Sequence, residues 1–229
     1  MISIIIPTFN EAQNIAELIH YLKKYSHGKL TEIIVSDGGS IDDTMSIASA
    51  AGAKAVLSTS MGRAAQMNYG ASLAKSQILY FIHADTFPPE TYCADIESAV
   101  NHGFSFGRYR TRFNSTRKIL LLNAFFTRFD WFMCYGGDQT LFMTTQLFSE
   151  IGGFNAALGI MEDYEIIVRA KAKGKYKIFI SSALISARKY DNNTYLRVQR
   201  ANYHIIQMYK KGASQKEMIS RYKAMLDYR

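Results

Sequence analysis

Acidic residues that follow apolar segments are the first candidates for chemistry in this sequence. Asp37 comes after the run EIIVS and before Gly38-Gly39, where a flat ligand could approach a backbone without Cβ atoms. A carboxylate in that place can accept hydrogen bonds from ring N–H groups or ribose hydroxyls. An aspartate in a turn also commonly bonds its own backbone, and the residues alone leave both roles open.

A second carboxylate, Asp85, lies in the stretch IHADTFPP, where the apolar run ILYFI ends and two prolines break the chain. His83 precedes it by two residues and should point to the same face of an extended chain. Asp85 could hold a hard divalent cation, which would in turn hold a diphosphate. His83 could donate a hydrogen bond to phosphate, add a nitrogen ligand or simply pack.

A third acidic candidate is the pair Glu162-Asp163, which opens a helical segment after the loop GFNAALGIM. Carboxylates in the first turn of a helix are stabilised by the helix dipole, so a capping role explains the pair. In a cleft the same group can act as a general base, worth about 10²–10⁴-fold in rate. Both interpretations stay open from the residues alone.

Arg63 follows Gly62 in the segment MGRAAQMNYG, at the expected start of a helix. An arginine there can bind phosphate together with free backbone N–H groups, and Gln66 and Asn68 follow on the same segment. An exposed helix is the alternative. The sequence contains no G-x-x-x-x-G-K-[ST] and no G-x-G-x-x-G after the first strand, which excludes a P-loop and disfavours a nicotinamide site.

The composition is that of a folded protein. The chain has 229 residues, of which 48% are hydrophobic and 20% charged, enough to bury a core. Its two cysteines, Cys93 and Cys134, have no disulfide or zinc spacing, and this favours a reducing, cytoplasmic location. The N-terminal MISIIIPTFNE predicts a strand and not a signal peptide.

The formal net charge of +8 suits nucleic acid, anionic lipid, a polyphosphate substrate or a merely solvated surface. We see no nucleic-acid motif and expect no such partner. The segment Ile119 to Cys134 is too short for a membrane span and carries Asn123, Arg128 and Asp130. It predicts a buried helix and loop; an apolar face at the inner surface of the membrane is the alternative. The sequence does not indicate an oligomeric state.

Alternating strand-like and helix-like segments must position these groups. Strands are expected at 2–6, 32–36, 53–57 and 78–82, with Asn10 capping the first helix and Ser40 and Asp43 forming a capping box on the second. This pattern predicts an α/β fold whose mostly parallel sheet is flanked by helices. Ligands of such sheets bind at the carboxyl ends of the strands, so Pro7-Thr8, Asp37 and Asp85 should share one rim.

The second half is less regular. Strands are expected at 104–113, 140–143, 176–180 and 184–187, and helices at 161–173, 194–211 and 214–228. No linker, repeat or low-complexity tract interrupts the chain. One continuous domain over 1–229 is therefore the expectation.

Together these segments resemble the family 2 glycosyltransferases of the GT-A fold. The similarity lies in ISIIIPTFNEAQNI, IIVSDGGSIDDT, GRAAQMNYGA, ILYFIHADTFPP, GGFNAALGIMEDYEIIVRAKAKG and SARKY, in order, to about Tyr190. The motifs HADT, YGGDQ and MEDYE further resemble a compact bacterial subgroup. The resemblance implies a Rossmann-like mixed sheet with C-terminal helices, a nucleotide-binding half at 1–100, an acceptor and catalytic half at 101–190, and terminal helices at 191–229.

The resemblance also implies roles for individual residues. The nucleotide of a UDP-like sugar donor would be bound by Pro7, Thr8, Asn10, Glu11, Asp37, Gly38, Arg63, Asn68, His83 and Ala84. Asp85 matches the last aspartate of a DXD-type site for Mn²⁺ or Mg²⁺, although His83 stands where many relatives carry the first. Asp163, with Glu162, matches the catalytic base. The sugar and acceptor would lie near Asp138, Gln139, Gly153 and Phe154.

The implied reaction is a metal-assisted, inverting transfer of a sugar to an acceptor hydroxyl. Arg188 and Lys189 carry charge suited to neutralising the departing diphosphate. A nucleotidyltransferase is one alternative, but PTFNE stands where a basic, glycine-rich phosphate loop would be needed. The other alternative is a non-catalytic protein that binds anionic lipid or nucleic acid through its net charge.

Overall fold

A single mixed sheet forms the centre of the structure, a computed structural model that describes residues 1–136 and 139–227. Its strands are β1 (Ile2–Thr8), β2 (Leu30–Asp37), β3 (Lys54–Leu57), β4 (Ile78–Phe81), β5 (Thr86–Phe87), β6 (Phe106–Asn114), β7 (Leu141–Thr144) and β8 (Tyr176–Ser186). They form one eight-stranded sheet in the order β3-β2-β1-β4-β7-β6-β8-β5. Strands β3, β2, β1 and β4 are parallel, β7 is antiparallel to β4, and β8 is parallel to β6. The expected α/β fold is confirmed.

Helices cover both faces of the sheet. They are α1 (Ile15–Lys24), α2 (Thr44–Ala50), α3 (Arg63–Ser72), α4 (Tyr92–Asn101), α5 (Lys118–Phe126), α6 (Thr145–Glu150), α7 (Glu162–Lys171), α8 (Tyr195–Lys210) and α9 (Gln215–Met225). Single 3₁₀ turns lie at Phe132–Cys134 and Arg188–Tyr190. Among the described residues, no helix is both long enough and apolar enough to cross a membrane.

The core consists of two apolar layers, one on each face of the sheet. Successive side chains of a strand point to opposite faces, so Ile4 and Ile6 of β1 join one layer and Ile5 joins the other. The first layer holds the buried faces of α1 and α4, and the second holds those of α3 and α7. Helices α8 and α9 close the second half through a smaller cluster that includes Leu120 and Tyr190.

Several expected boundaries are wrong at the start of the chain. Helix α1 begins after Asn14, because Asn10 has a positive φ of 55° and accepts a hydrogen bond from the Ile41 N–H. Ser40 does not cap α2, because its hydroxyl donates to Asp37 at 2.6 Å. The side chains of Asn10 and Ser40 instead form hydrogen bonds within and between the loops that follow β1 and β2.

The second half differs more from the expectation. Strand β8 is continuous across residues 176–186, where two strands were expected. The segment after residue 118 forms α5, in which only Leu120 is buried, so the expected buried helix is wrong. Helices α4 and α6 and the short strand β5 were not expected; β5 is recruited by antiparallel pairing with β8, a long-range contact that no local pattern encodes.

Candidate active site

The carboxyl ends of β1 and β2 meet, and Asp37 is the centre of their contact. Thr8 and Asp37 are register partners, and the Thr8 Oγ1 donates to Asp37 Oδ1 at 2.8 Å. The other oxygen accepts from the N–H groups of Gly39, at 2.9 Å, and Ser40, at 2.7 Å. Asp37 is fully buried. Its carboxylate therefore holds the loop after β2 in place, and its contact with a nucleotide stays a prediction.

A side chain of α3 also stabilises this rim. The Gln66 Nε2 donates to the carbonyl of Thr8 at 2.7 Å and to that of Ser36 at 2.9 Å. A Cβ atom on Gly38 would lie 3.0 Å from that nitrogen, so a residue without a side chain suits the approach. Pro7 lies inside β1, paired with Ser36. Gln66, which the sequence indicated only as a neighbour of Arg63, is a positioning residue of this rim.

Arg188 connects two carboxylates that follow neighbouring parallel strands, Glu11 after β1 and Asp85 after β4. Its Nη2 lies 2.6 Å from Glu11 Oε1, and its Nε lies 3.0 Å from Asp85 Oδ2. Both carboxylates are mostly buried, with 13% and 17% of the side chains exposed, while Arg188 is 54% exposed. The Asp85 carbonyl also accepts from the Ser186 N–H at 3.2 Å, which ties the turn after β4 to the end of β8.

His83 and Ala84 lie in the turn between β4 and Asp85. The His83 carbonyl accepts from the Thr86 N–H at 3.1 Å, and its side chain is half-buried. Ala84 is buried in the core layer below α1, so only its backbone can reach a ligand. Among the described residues, no three His, Cys, Asp or Glu side chains cluster as a metal site.

Glu162 and Asp163 open α7, as expected, but in different environments. Glu162 is 1% exposed and lies 2.6 Å from the Arg63 Nη2. The contact is an ion pair between a partly exposed guanidinium and a buried carboxylate. Both residues line a cavity of about 430 Å³, but Asp163 is only half-buried. Of the two carboxylates, Asp163 is thus the more exposed to the cavity.

Backbone strain marks the start of the same helix. Met161, which precedes α7, is buried and has a left-handed φ of 73°. Such a conformation costs about 1–3 kcal/mol in a residue other than glycine and persists where its surroundings enforce it. Asn10, in the loop after β1, is also left-handed, a conformation that asparagine tolerates better than methionine does.

The cavity next to Asp163 is formed mainly by residues of the second half of the chain. Arg63 and Gln139 line it, together with residues from β6, from α5 and the segment after it, from the 3₁₀ turn after β8 and from the terminal helices: Phe113, Asn123, Thr127, Met133, Lys189, Tyr190, Asn202, Tyr203 and Tyr222. Sequence reasoning missed the residues of α8 and α9, whose only signal was their aromatic content. The Gln139 Nε2 donates to the Cys134 carbonyl at 2.6 Å. Asp138 lies outside the described residues.

Gly153, Phe154 and Asn68 form a separate structural unit. The Asn68 amide donates to the Phe154 carbonyl and accepts from its N–H, both at 2.8 Å. The Phe154 ring is 2% exposed and packs edge-on against Phe81 at 5.1 Å. Gly153 and Phe154 are not among the residues that line the cavity, and this turn packs against α3. Their contact with the sugar stays a prediction.

Similar solved structures share this arrangement of sheet and helices. The mannosyltransferase PcManGT of Pyrobaculum calidifontis, in complex with GDP-Man and Mn²⁺, has a TM-score of 0.69 and 19% identity over 92% of this chain and 63% of its own. S. aureus TarS in complex with UDP-GlcNAc has a TM-score of 0.67 and 17% identity over 82% of this chain and 58% of its own. This chain thus spans less than two thirds of either protein.

This chain spans a larger share of a third structure. Glucosyl-3-phosphoglycerate synthase from Mycobacterium tuberculosis, with Mn²⁺, UDP-Glc and phosphoglyceric acid, has a TM-score of 0.66 and 15% identity over 93% of this chain and 80% of its own. At these identities the likeness shows the fold alone, and that fold is the GT-A fold of glycosyltransferases. Among proteins with curated functions, no sequence matches the chain.

Sequence comparison carries the assignment further. Residues 3–158 match the family model described as Glycosyl transferase family 2. The match covers more than half of the 229 residues. The chain belongs to glycosyl transferase family 2.

Proposed function

We propose that this protein is an inverting glycosyltransferase that moves a sugar from a UDP-like nucleotide donor to an acceptor hydroxyl. The observation that carries the proposal is Asp163, a carboxylate in the first turn of α7 on the wall of a cavity, in a chain of family 2. The complexes of the similar structures with UDP-GlcNAc, GDP-Man and UDP-Glc support a nucleotide-sugar donor. Residues 1–100 would bind that donor, and residues 101–190 the acceptor.

The donor would lie across the rim of β1, β2 and β4. Thr8 and Asp37 would hold the loops that enclose the nucleotide, and Gly38 allows the close approach of Gln66 to the same rim. Arg188 would supply positive charge to the diphosphate, since its guanidinium already lies between the carboxylates of Glu11 and Asp85. Fixed charge of this kind stabilises the negative charge that develops on a leaving group.

The rim also suits a divalent cation such as Mn²⁺ or Mg²⁺ held jointly with the donor. Asp85 offers one carboxylate, and hard cations often bind one or two carboxylates together with substrate phosphates. When bound, such a cation neutralises phosphate oxygens and so helps the diphosphate depart. Complexes of two similar structures with Mn²⁺ support this. Arg188 would have to release Asp85 to the cation.

On the acceptor side, Asp163 would take the proton of the attacking hydroxyl. The hydroxyl would attack the face of the sugar opposite the diphosphate, so a single displacement inverts the anomeric centre, as in inverting hydrolysis. Glu162 lines the same cavity but is only 1% exposed, and its role would be to fix Arg63 on the cavity wall. The dipole of α7 favours negative charge at its N-terminus, where Asp163 lies.

A thermal-stability screen tests the donor assignment directly. Nucleoside diphosphates and nucleotide sugars are added with and without Mn²⁺ or Mg²⁺, because a ligand that binds only the folded state raises its stability. We expect a nucleotide sugar to raise the melting temperature, with a larger shift when the cation is present. No stabilisation by any nucleotide would contradict the proposal.

Two variants separate the possible cation ligands. Asp85→Ala should abolish the additional shift produced by Mn²⁺, because it removes the carboxylate that can hold the cation. His83→Ala should weaken that shift less. An equal loss in both variants would show that His83 also ligates the cation, and a normal response in Asp85→Ala would refute the role of Asp85.

A further inference from the structure

Segment 117–133 carries an exposed set of large apolar side chains, which we call the apolar ridge. Their exposed fractions run from 38% for Phe126 to 63% for Leu121. The ridge comprises Ile119, Leu121, Leu122, Phe125, Phe126, Trp131 and Met133. Contiguous apolar surface of this kind on a folded protein marks a site of contact with a partner or a lipid surface.

The exposure of the ridge is built into the fold. Arg108, 1% exposed, donates from Nη1 to the Thr127 carbonyl at 2.8 Å and from Nη2 to the Phe129 carbonyl at 3.2 Å. The Asn123 Nδ2 donates to the Tyr190 hydroxyl at 3.1 Å. These polar contacts anchor the inner side of the segment, so the apolar side chains are held facing outward.

Positive charge surrounds the ridge. Its exposed neighbours include Arg112, Arg117, Lys118 and Arg128. The Arg128 guanidinium lies over the Phe125 ring at 3.8 Å, a position from which the charge reaches past the apolar surface. The one acidic residue between 111 and 133, Asp130, is ion-paired with Lys171 at 2.6 Å.

This combination of charge and shape favours one class of partner. Aliphatic, phenylalanine and tryptophan side chains insert at the boundary of acyl chains and headgroups, and flanking Lys and Arg attract anionic headgroups. A second copy of the chain would bring two basic borders together. We propose that the apolar ridge docks the protein peripherally on an anionic lipid surface.

Docking would also orient the candidate active site. Asn123, Thr127 and Met133 belong to the same segment and line the cavity that contains Asp163. An acceptor held at a lipid surface would therefore meet the segment that forms part of the cavity wall. The inference goes beyond the proposed sugar transfer and does not depend on it, because lipid binding is measured without any nucleotide.

The chain provides its own reporter for the test, since its single tryptophan, Trp131, belongs to the ridge and is 54% exposed. The full chain is mixed with phosphatidylcholine vesicles with or without phosphatidylglycerol. We expect flotation with the anionic vesicles, a blue shift of the tryptophan emission, and quenching by brominated acyl chains. No flotation and an unchanged spectrum would overturn the proposal.

Matched variants locate the contact. Leu121→Asp should lower the partition coefficient about tenfold, because it replaces one inserted leucine by a charge. Leu57→Asp, at 58% exposure on the edge strand β3, should leave it unchanged. Lys118→Glu should weaken binding to anionic vesicles only. Equal losses in both leucine variants would overturn the assignment of the ridge.

A second copy as the occupant of the ridge gives a different result. As the protein concentration is raised, the molar mass in solution would increase from that of a monomer to that of a dimer. The tryptophan emission would then shift to the blue even without vesicles. Leu121→Asp would then restore the monomer. That outcome would overturn the lipid proposal, whereas failure of the nucleotide screen would leave it intact.

Discussion

Removal of Arg188 should create a stronger cation site in the absence of nucleotide. Its guanidinium lies 2.6 Å from Glu11 and 3.0 Å from Asp85, so a cation that approaches Asp85 must displace it. In Arg188→Ala both carboxylates face the crevice without that positive charge. Two carboxylates in one site are the oxygen ligands that Mn²⁺ and Mg²⁺ prefer.

The size of the effect follows from the two ion pairs. Arg188 is half exposed, which limits each pair to the range of surface salt bridges, at most about 1 kcal/mol. The low exposure of both carboxylates favours the upper end of that range. Loss of both competing contacts then amounts to about 2 kcal/mol, or close to a 30-fold lower dissociation constant for Mn²⁺.

Titration of Mn²⁺ followed by electron paramagnetic resonance measures this constant without nucleotide. Arg197→Ala is the matched control, because Arg197 also pairs with a carboxylate, Asp227, at 2.9 Å, outside the crevice. Both variants lose one positive charge, so a nonspecific electrostatic effect would appear in both. If Arg188→Ala binds Mn²⁺ no more tightly than Arg197→Ala, the competition between Arg188 and a cation is refuted.

Further predictions concern the support of the site. Asp37→Ala should lower the free energy of unfolding in urea by about 2–4 kcal/mol, because buried donors lose a charged acceptor. The control variant Asp43→Ala, at an exposed position, should change this free energy little. Equal effects of the two variants would contradict the role of Asp37 in holding its loop. Gly153→Ala should lower the free energy of unfolding by about 2–4 kcal/mol, because φ is +70° and a Cβ would lie 2.7 Å from Asn68, which holds this loop. Gly152→Ala, which has open space around it, should lower it by about 1–2 kcal/mol. A similar loss in both variants would refute the role of Asn68. Burial raises the pKa of Tyr176 to about 12, so on raising the pH this tyrosine ionises in the unfolded chain before it does in the folded one. The free energy of unfolding should therefore fall as the pH rises above about 10. Urea denaturation at neutral and alkaline pH measures this, and a constant free energy of unfolding would contradict it.

The first half of the fold could be predicted because local signals and tertiary structure agree there. Buried strands alternate with amphipathic helices, and parallel strands place their carboxyl ends at one edge. That logic predicts that Thr8 and Asp37 share one rim, and in the structure the Thr8 hydroxyl donates to Asp37. The start of α1 was wrong because Asn10 is held by the loop after β2, a contact made across the rim.

The rest of the site depends on contacts between distant segments. The pairing of Arg188 with Glu11 joins residues 177 positions apart, which no periodicity reveals. Glu162 and Asp163 are adjacent in sequence and line the same cavity, yet Glu162 is buried against Arg63 while Asp163 is only half-buried. The ion pair between α3 and the start of α7 that distinguishes them is not visible in the sequence. The apolar segment around α5 was expected to be buried, because hydrophobicity alone does not distinguish a core from a docking surface.

The proposed catalysis is tested most directly by Asp163→Asn in a single-turnover measurement. The donor found in the stability screen is incubated with enzyme, and release of nucleoside diphosphate is followed with water in place of the acceptor hydroxyl. Glu165→Gln, on the same helix, is the control. The account predicts that Asp163→Asn binds the donor with unchanged affinity and releases diphosphate about 10²–10⁴-fold more slowly. Release at the wild-type rate would contradict it.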